Sequence, residues 1–104
     1  MKLSFSTAGL FPRETIDSLK LIEKAGFHYA ELMPQCARET KPEFAEVILK
    51  SVNLTVGSIH FPLVFFSVFY NPYSGMVKEA EKLIDDLTKM AEVLGSKVIV
   101  IHPP

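Results

Sequence analysis

The chain has 104 residues, a length that suits one compact domain with a modest core and makes two domains improbable on size alone. Hydrophobic residues make up 48% and charged residues 22% of the sequence, which is the balance of a globular protein rather than of a disordered chain. The formal net charge of −1 gives no electrostatic reason to expect a nucleic-acid partner, and no apolar run approaches the roughly 20 residues needed to cross a bilayer.

The lack of a signal-peptide pattern and the single cysteine predict a cytoplasmic protein. The amino-terminal stretch MKLSFSTAGLF lacks the long apolar segment and cleavage site of a signal peptide. Cys36 is the only cysteine, so neither an internal disulfide nor a cysteine-based zinc site is expected within one chain. A reducing compartment fits both observations.

The first third of the chain reads as strand, helix, strand. Residues 3–7 predict a first strand, and Pro12 stands where the first turn of a helix tolerates a missing N–H. Apolar positions then recur at helical spacing until Gly26 supplies a stop. Residues 27–32 predict a second strand, with Glu31 at its exit.

A second helix and a third strand follow. Thr40 is the expected N-cap of this helix, and Asn53 ends it. Residues 54–60 predict the third strand, in which alternate residues share one face of the sheet. Four residues have the same parity on this strand: Leu54, Val56, Ser58 and His60.

The last third combines an aromatic connection, a long helix and a final strand. Residues 61–75 show no clear period, and we expect some of their rings to pack over the core and others to line a pocket or contact another chain. Residues 77–94 predict a long amphipathic helix closed by Gly95. The β-branched run at residues 98–101 is typical of a strand buried on both faces.

The resulting β-α-β-α-β-α-β order predicts an α/β fold with a parallel sheet built from right-handed crossovers. Two architectures satisfy this order: a small doubly wound sheet, or part of an eight-unit barrel. The stretch STAGLFP contains no glycine-rich phosphate-binding pattern, which weakens the first.

Candidate site residues lie at the predicted strand exits, where parallel α/β folds place their ligands. His60 and His102 fall at two such exits, and adjacent parallel strands lie about 4.8 Å apart, so the two imidazoles can hold one metal ion or one substrate oxygen. Glu31 is one strand further along. Thr7, Phe61 and Glu31 are the candidate substrate-binding residues.

Two histidines and a carboxylate form the donor set that a divalent metal takes when it keeps positions open for water or substrate. The alternative is that each histidine caps the sheet and bonds a loop carbonyl, while Glu31 is a surface carboxylate. His28 lies at a strand entrance, and we expect it to be structural or exposed.

Three motifs, AGFHYAEL, VGSIHFP and LTKMAEVLGSKVIVIHPP, resemble stretches of the xylose isomerase-like barrel superfamily. This group contains sugar phosphate isomerases and epimerases and the endonuclease IV type of DNA repair enzyme. The resemblance implies a (β/α)8 TIM barrel, a divalent metal (Zn, Mn or Mg), His60 and His102 as metal or substrate ligands, and Glu31 as the catalytic strand-exit glutamate. Pro104 stands where the family usually has glycine.

The family takes most of its metal ligands from later strands, so the resemblance makes residues 1–104 a single half-barrel domain, the first four strands of a TIM-barrel-like fold with an incomplete metal site. Open sheet edges predict a homo-oligomer, most simply a twofold dimer. The alternative is that the chain is a piece of a longer enzyme.

Three functions remain open. The leading hypothesis is a sugar phosphate isomerase or epimerase, in which a metal polarises the substrate while a carboxylate moves a proton between neighbouring carbons, and Glu31 is the catalytic residue that orients the substrate. An abasic-site endonuclease of the endonuclease IV type is the second, although the near-neutral charge disfavours a nucleic-acid substrate. The third is a non-catalytic half barrel that associates with another chain.

Overall fold

A four-stranded, all-parallel sheet is the centre of the computed structural model, which describes residues 2–103. The predicted alternation of strands and helices, and therefore the α/β class, is confirmed. Pro104 lies outside the described residues. The strands are β1 (Ser4–Ser6), β2 (Tyr29–Leu32), β3 (Thr55–His60) and β4 (Val98–Val100), and the helices are α1 (Thr15–Lys24), α2 (Pro42–Ser51), α3 (Phe66–Phe69) and α4 (Ser74–Leu94).

The strands lie in the order β1-β2-β3-β4, without the reversal that a doubly wound sheet requires. Right-handed crossovers between sequential parallel strands place the connecting helices on the same side of the sheet. One face of the sheet packs against α1, α2 and α4 in a single apolar core. The core residues supplied by this face are Ala30, Leu32, Val56 and Ile59, none more than 2% exposed.

The opposite face, here called the Glu31 face, carries most of the polar side chains of the sheet. Strand register places its members in rows that run across the strands. They are Ser4 and Ser6 on β1, Tyr29 and Glu31 on β2, Thr55, Ser58 and His60 on β3, and Val98 and Val100 on β4.

A bulge in β3 corrects the predicted parity of this strand. Ala30 pairs with Val56, but the next residue of β2, Glu31, pairs with Ser58, so Gly57 is an extra residue in the ladder. Because of this extra residue, Val56 lies on the core face and Ser58 on the Glu31 face. The prediction that Val56 shares a face with Ser58 is therefore wrong.

The starts of α1 and α2 differ from the predictions, whereas the end of α4 agrees with them. Helix α1 begins at Thr15, so Pro12 lies before the helix instead of in its first turn. The Thr40 hydroxyl does not cap α2 but donates a 2.7 Å hydrogen bond to the Ala37 carbonyl. Gly95 ends α4 with a φ of 75°, a conformation that favours glycine.

The aromatic connection lacks a period because it is folded as a 3-10 turn, Leu63–Phe65, followed by the single turn of α3. Its rings pack largely onto the core: Phe61 is fully buried, and its ring centroid lies 5.0 Å from that of Phe69. Tyr73 is exposed, at 73%.

Both edges of the sheet expose apolar side chains. Val98 is 53% and Ile101 is 38% exposed, although the β-branched run predicts a strand buried on both faces. At the other edge Leu3 is 65% and Phe5 is 38% exposed. The difference arises because residues 2–103 provide no strand beside the outer edge of β4 or β1. Within the same residues, no helix combines the length and apolar character needed to span a bilayer.

Candidate functional site

The candidate site lies on the Glu31 face, near the carboxyl ends of β2, β3 and β4. Glu31 is the penultimate residue of β2 and is half-buried. Its neighbours in register are Ser6 on β1 and Ser58 on β3. Two serine hydroxyls and a carboxylate thus occupy one row across three adjacent strands.

A hydrogen bond fixes the carboxylate within this row. The Ser58 hydroxyl donates to Glu31 Oε1 over 3.0 Å, in a part-buried environment. The Ser6 hydroxyl instead accepts a 3.1 Å hydrogen bond from the Ala8 backbone N–H. Ser58 is therefore the serine that holds Glu31.

The structure brings the imidazoles of His60 and His102 together. Their ring centroids are 4.8 Å apart and their planes are tilted by 46°. His60 is the last residue of β3 and is only 9% exposed, whereas His102 follows β4 and is exposed. One imidazole is thus enclosed and the other faces solvent.

One ring nitrogen of His60 has a defined role. His60 Nδ1 lies 2.7 Å from the Phe61 carbonyl oxygen. Because a carbonyl oxygen only accepts, Nδ1 carries the proton and donates it. In the neutral ring Nε2 then keeps its lone pair and can accept a hydrogen bond or bind a metal.

The aromatic connection reaches the site through Tyr70. Its hydroxyl donates a hydrogen bond to the backbone carbonyl of His102. The Tyr70 ring packs edge-on against Phe66 and Phe69, with a centroid separation of 4.9 Å in each case. Rings anchored on the core therefore hold the segment that presents His102.

Thr7 and Phe61 lie in less accessible positions than Glu31. Thr7 is 3% exposed, and its Oγ1 accepts a 3.0 Å hydrogen bond from the Met33 N–H. Phe61 is fully buried and packs against Phe69. Thr7 thus fixes the segment after β2, and Phe61 belongs to the core.

Glu39 is a buried carboxylate that the sequence reasoning missed. It is 3% exposed, and its Oε1 accepts 2.8 Å hydrogen bonds from the Thr15 hydroxyl and from the Gln35 N–H. These bonds tie the segment after β2 to the first residue of α1. Nothing in the polar stretch CARET distinguishes Glu39 from a surface residue, because its partners are distant or belong to the backbone.

The metal donors of the site are limited in number. Among residues 2–103, no group of three or more His, Cys, Asp and Glu side chains is placed to hold one metal ion. His60 and His102 therefore supply a pair of imidazoles but not a complete set of protein ligands.

Two cavities lie away from these residues. One of about 380 Å³ is at the amino ends of the first two strands, beside Leu3, Phe27 and Tyr29. Another of about 420 Å³ lies along α4, beside Val77 and Ile84. Neither is lined by Glu31, His60 or His102. The candidate site is instead formed by the polar groups that converge at the carboxyl ends of the strands, where parallel sheets present their ligand-binding residues.

Comparison of the chain with protein-family models, curated proteins and solved structures gives no match. The resemblance to xylose isomerase-like barrels therefore depends on the three motifs.

Proposed function

We propose that this chain is a sugar phosphate isomerase- or epimerase-like protein in which Glu31 transfers the proton. The observation that carries the proposal is the placement of the Ser58-bound Glu31 carboxylate on one face with the adjoining imidazoles of His60 and His102. A carboxylate can remove a proton bound to carbon, and imidazoles can hold the oxygens beside it. The three family-like motifs supply the substrate class.

In the proposed reaction Glu31 removes a proton from the carbon next to a substrate carbonyl, and the bonding electrons move onto the carbonyl oxygen to form an enediolate. Glu31 then returns a proton to the former carbonyl carbon. The proton of the hydroxyl on the deprotonated carbon moves in the same direction, to the former carbonyl oxygen, so the carbonyl shifts by one carbon without an external oxidant or reductant. The imidazoles of His60 and His102 bind the two oxygens.

We further propose His60 and His102 as the part of a Zn, Mn or Mg site that this chain supplies. Imidazole nitrogens suit Zn²⁺ well, and the protonated Nδ1 of His60 leaves Nε2 as the donor. A metal bound there would polarise the substrate oxygens. Because the described residues hold no third donor with this pair, the proton transfer above is derived from the side chains alone.

We place the fold in the TIM-barrel class, as the first four strands of a (β/α)8 barrel, and propose that the chain associates through its open sheet edges. The sequential parallel order and the one-sided helices support this reading. The chain also exposes 6338 Å². A compact monomer of its mass exposes roughly 5,800 Å². The excess and the apolar edges favour a second copy as the partner.

Proton exchange tests the proposed function directly. We expect the chain to catalyse exchange of the carbon-bound hydrogens of dihydroxyacetone phosphate in D₂O, followed by ¹H NMR. Glu31→Gln keeps the shape but removes the base, so the rate should fall by at least about 100-fold. Glu46→Gln, an exposed change on α2, is the matched control and should keep the rate. If neither this ketose phosphate nor longer ones exchange, or if E31Q is fully active, the proposal is wrong.

A further inference from the structure

The bulge at Gly57 determines which residue of β3 lies beside Glu31. In a regular ladder, Glu31 would follow the Ala30–Val56 pair with Gly57 as its partner, and a glycine has no side chain to offer. The extra residue moves the register by one, and Ser58 takes the place beside Glu31. The result is the 3.0 Å hydrogen bond between the Ser58 hydroxyl and Glu31 Oε1.

The same bulge sets the direction of His60. Since Ser58 and His60 are two residues apart in a regular part of β3, they share the Glu31 face, while Ile59 between them is fully buried in the core. Without the extra residue, either Val56 would leave the core face, or Ser58 and His60 would leave the Glu31 face. The bulge therefore reconciles a buried Val56 with a polar Ser58 and His60 on the other side.

Gly57 is not present to relieve a steric clash. A Cβ built on this residue would meet no atom within 4 Å, and its φ lies outside the left-handed region. The backbone of the bulge is held by its neighbour, because the Gly57 carbonyl accepts a 3.0 Å hydrogen bond from the Lys97 N–H. The Ser96 hydroxyl also donates a 2.6 Å hydrogen bond to the Val56 carbonyl. The two residues before β4 thus hold the backbone at Val56 and Gly57.

We propose that Ser58, aimed by the Gly57 bulge, is a positioning residue for Glu31. Its hydroxyl holds Oε1 and leaves Oε2 as the oxygen that accepts the substrate proton. This inference rests on the proposed function for its kinetic consequence, but the positioning itself is a property of the free protein. A hydrogen bond to a carboxylate is stronger than one between neutral groups, so its loss frees the side chain to change rotamer.

Two measurements on the same variants test the proposal separately from the enzymatic activity. In protein labelled with ¹³C-glutamate, the side-chain couplings of Glu31 should indicate one rotamer in the wild type and in Ser58→Thr, and rotamer averaging in Ser58→Ala. In the exchange assay, kcat of S58A should fall about tenfold with KM nearly unchanged, and S58T should recover most of it. Ser51→Ala, which removes a hydroxyl at the end of α2, is the control.

The outcomes separate the two proposals. Rotamer averaging only in S58A, in a chain without exchange activity, would support positioning and overturn the proposed function. An active chain in which S58A keeps both the single rotamer and kcat would overturn positioning while the function stands. Gly57→Ala should keep the rotamer and the rate, because the site has room for a methyl group. Loss of both in G57A, with an intact fold by circular dichroism, would contradict the bulge argument.

Discussion

The imidazoles of His60 and His102 lie with their centroids 4.8 Å apart although 41 residues separate them in the chain. The contact follows from the parallel pairing of β3 and β4, in which His60 is opposite Val100 and His102 follows two residues later. The Phe61 carbonyl orients His60, and Tyr70 holds the backbone of His102. His60 is therefore held through its ring and His102 through its backbone.

The pair should determine metal uptake by this chain. We expect isothermal titration with Zn²⁺ to give measurable binding to the wild type that disappears in the double variant His60→Ala/His102→Ala, because imidazole nitrogens are the donors that zinc prefers here. His28→Ala is the control, since His28 is exposed at the entrance of β2. Unchanged affinity in the double variant would show that the ligands lie elsewhere.

Tyr70 should hold the His102 segment against the aromatic connection. Tyr70→Phe keeps the ring packing but removes the hydroxyl that donates to the His102 carbonyl. We expect faster amide hydrogen exchange around Ile101 and His102, by several-fold, with global stability lowered by about 1 kcal/mol. Tyr73→Phe removes a hydroxyl from a residue that is 73% exposed and should change neither quantity. Equal exchange rates in Y70F and wild type would exclude the role assigned to Tyr70.

Asp86 should make the stability of the fold sensitive to acid. Burial by itself raises the pKa of this carboxyl, but hydrogen bonds from Lys41 and Lys82, at 2.8 and 3.3 Å, outweigh it and lower the pKa below the usual 3.8. A carboxyl with a lowered pKa in the folded state stabilises that state at neutral pH, and this contribution is lost as the pH falls through the lowered value.

Urea denaturation at several pH values between neutral and strongly acidic conditions checks the sign. Asp86→Asn should lower the urea midpoint at neutral pH and flatten its decline on acidification. Asp85→Asn is the matched control on the same helix, since its side chain is 66% exposed and forms one pair with Lys89. A D86N midpoint equal to that of the wild type at neutral pH would contradict the argument.

The exposed edges of the sheet should cause association. We expect light scattering at tens of micromolar to give about twice the 11.6 kDa mass of the chain. Val98→Lys places a charge on the outer strand β4 and should return the mass to that of the monomer, because edge lysines oppose strand pairing. Val47→Lys, at a residue on α2 that is 41% exposed, is the control. A wild-type chain that is monomeric at all concentrations would remove the association proposal.

Periodicity and stop signals were sufficient to predict the order of elements. The helix stop at Gly95 and the apolar stripe of α4 are local features, and both are found as predicted. The approach of His60 to His102 required one further assumption, that neighbouring strands run parallel. Features that depend on a single physical rule could therefore be predicted from the sequence alone.

Other features depend on partners that a sequence does not display. The parity of Val56 and Ser58 changes at Gly57 because β2 and β4 fix a bulge there, although an internal glycine in a strand is a recognised signal of one. Glu39 is buried because the Thr15 hydroxyl and the Gln35 N–H converge on it. The exposure of Val98 reflects the neighbours of β4 and not the composition of the strand.

The most direct test of the central claim is to map the position at which a sugar phosphate binds. In a ¹H–¹⁵N NMR titration with dihydroxyacetone phosphate, the amide signals that move should be those of Glu31, Ser58, His60 and His102, at the carboxyl ends of the strands. Signals that move instead around Gly26 and Tyr29, or along α4 near Ile84, would place the ligand in one of the two cavities described there and contradict the proposed site.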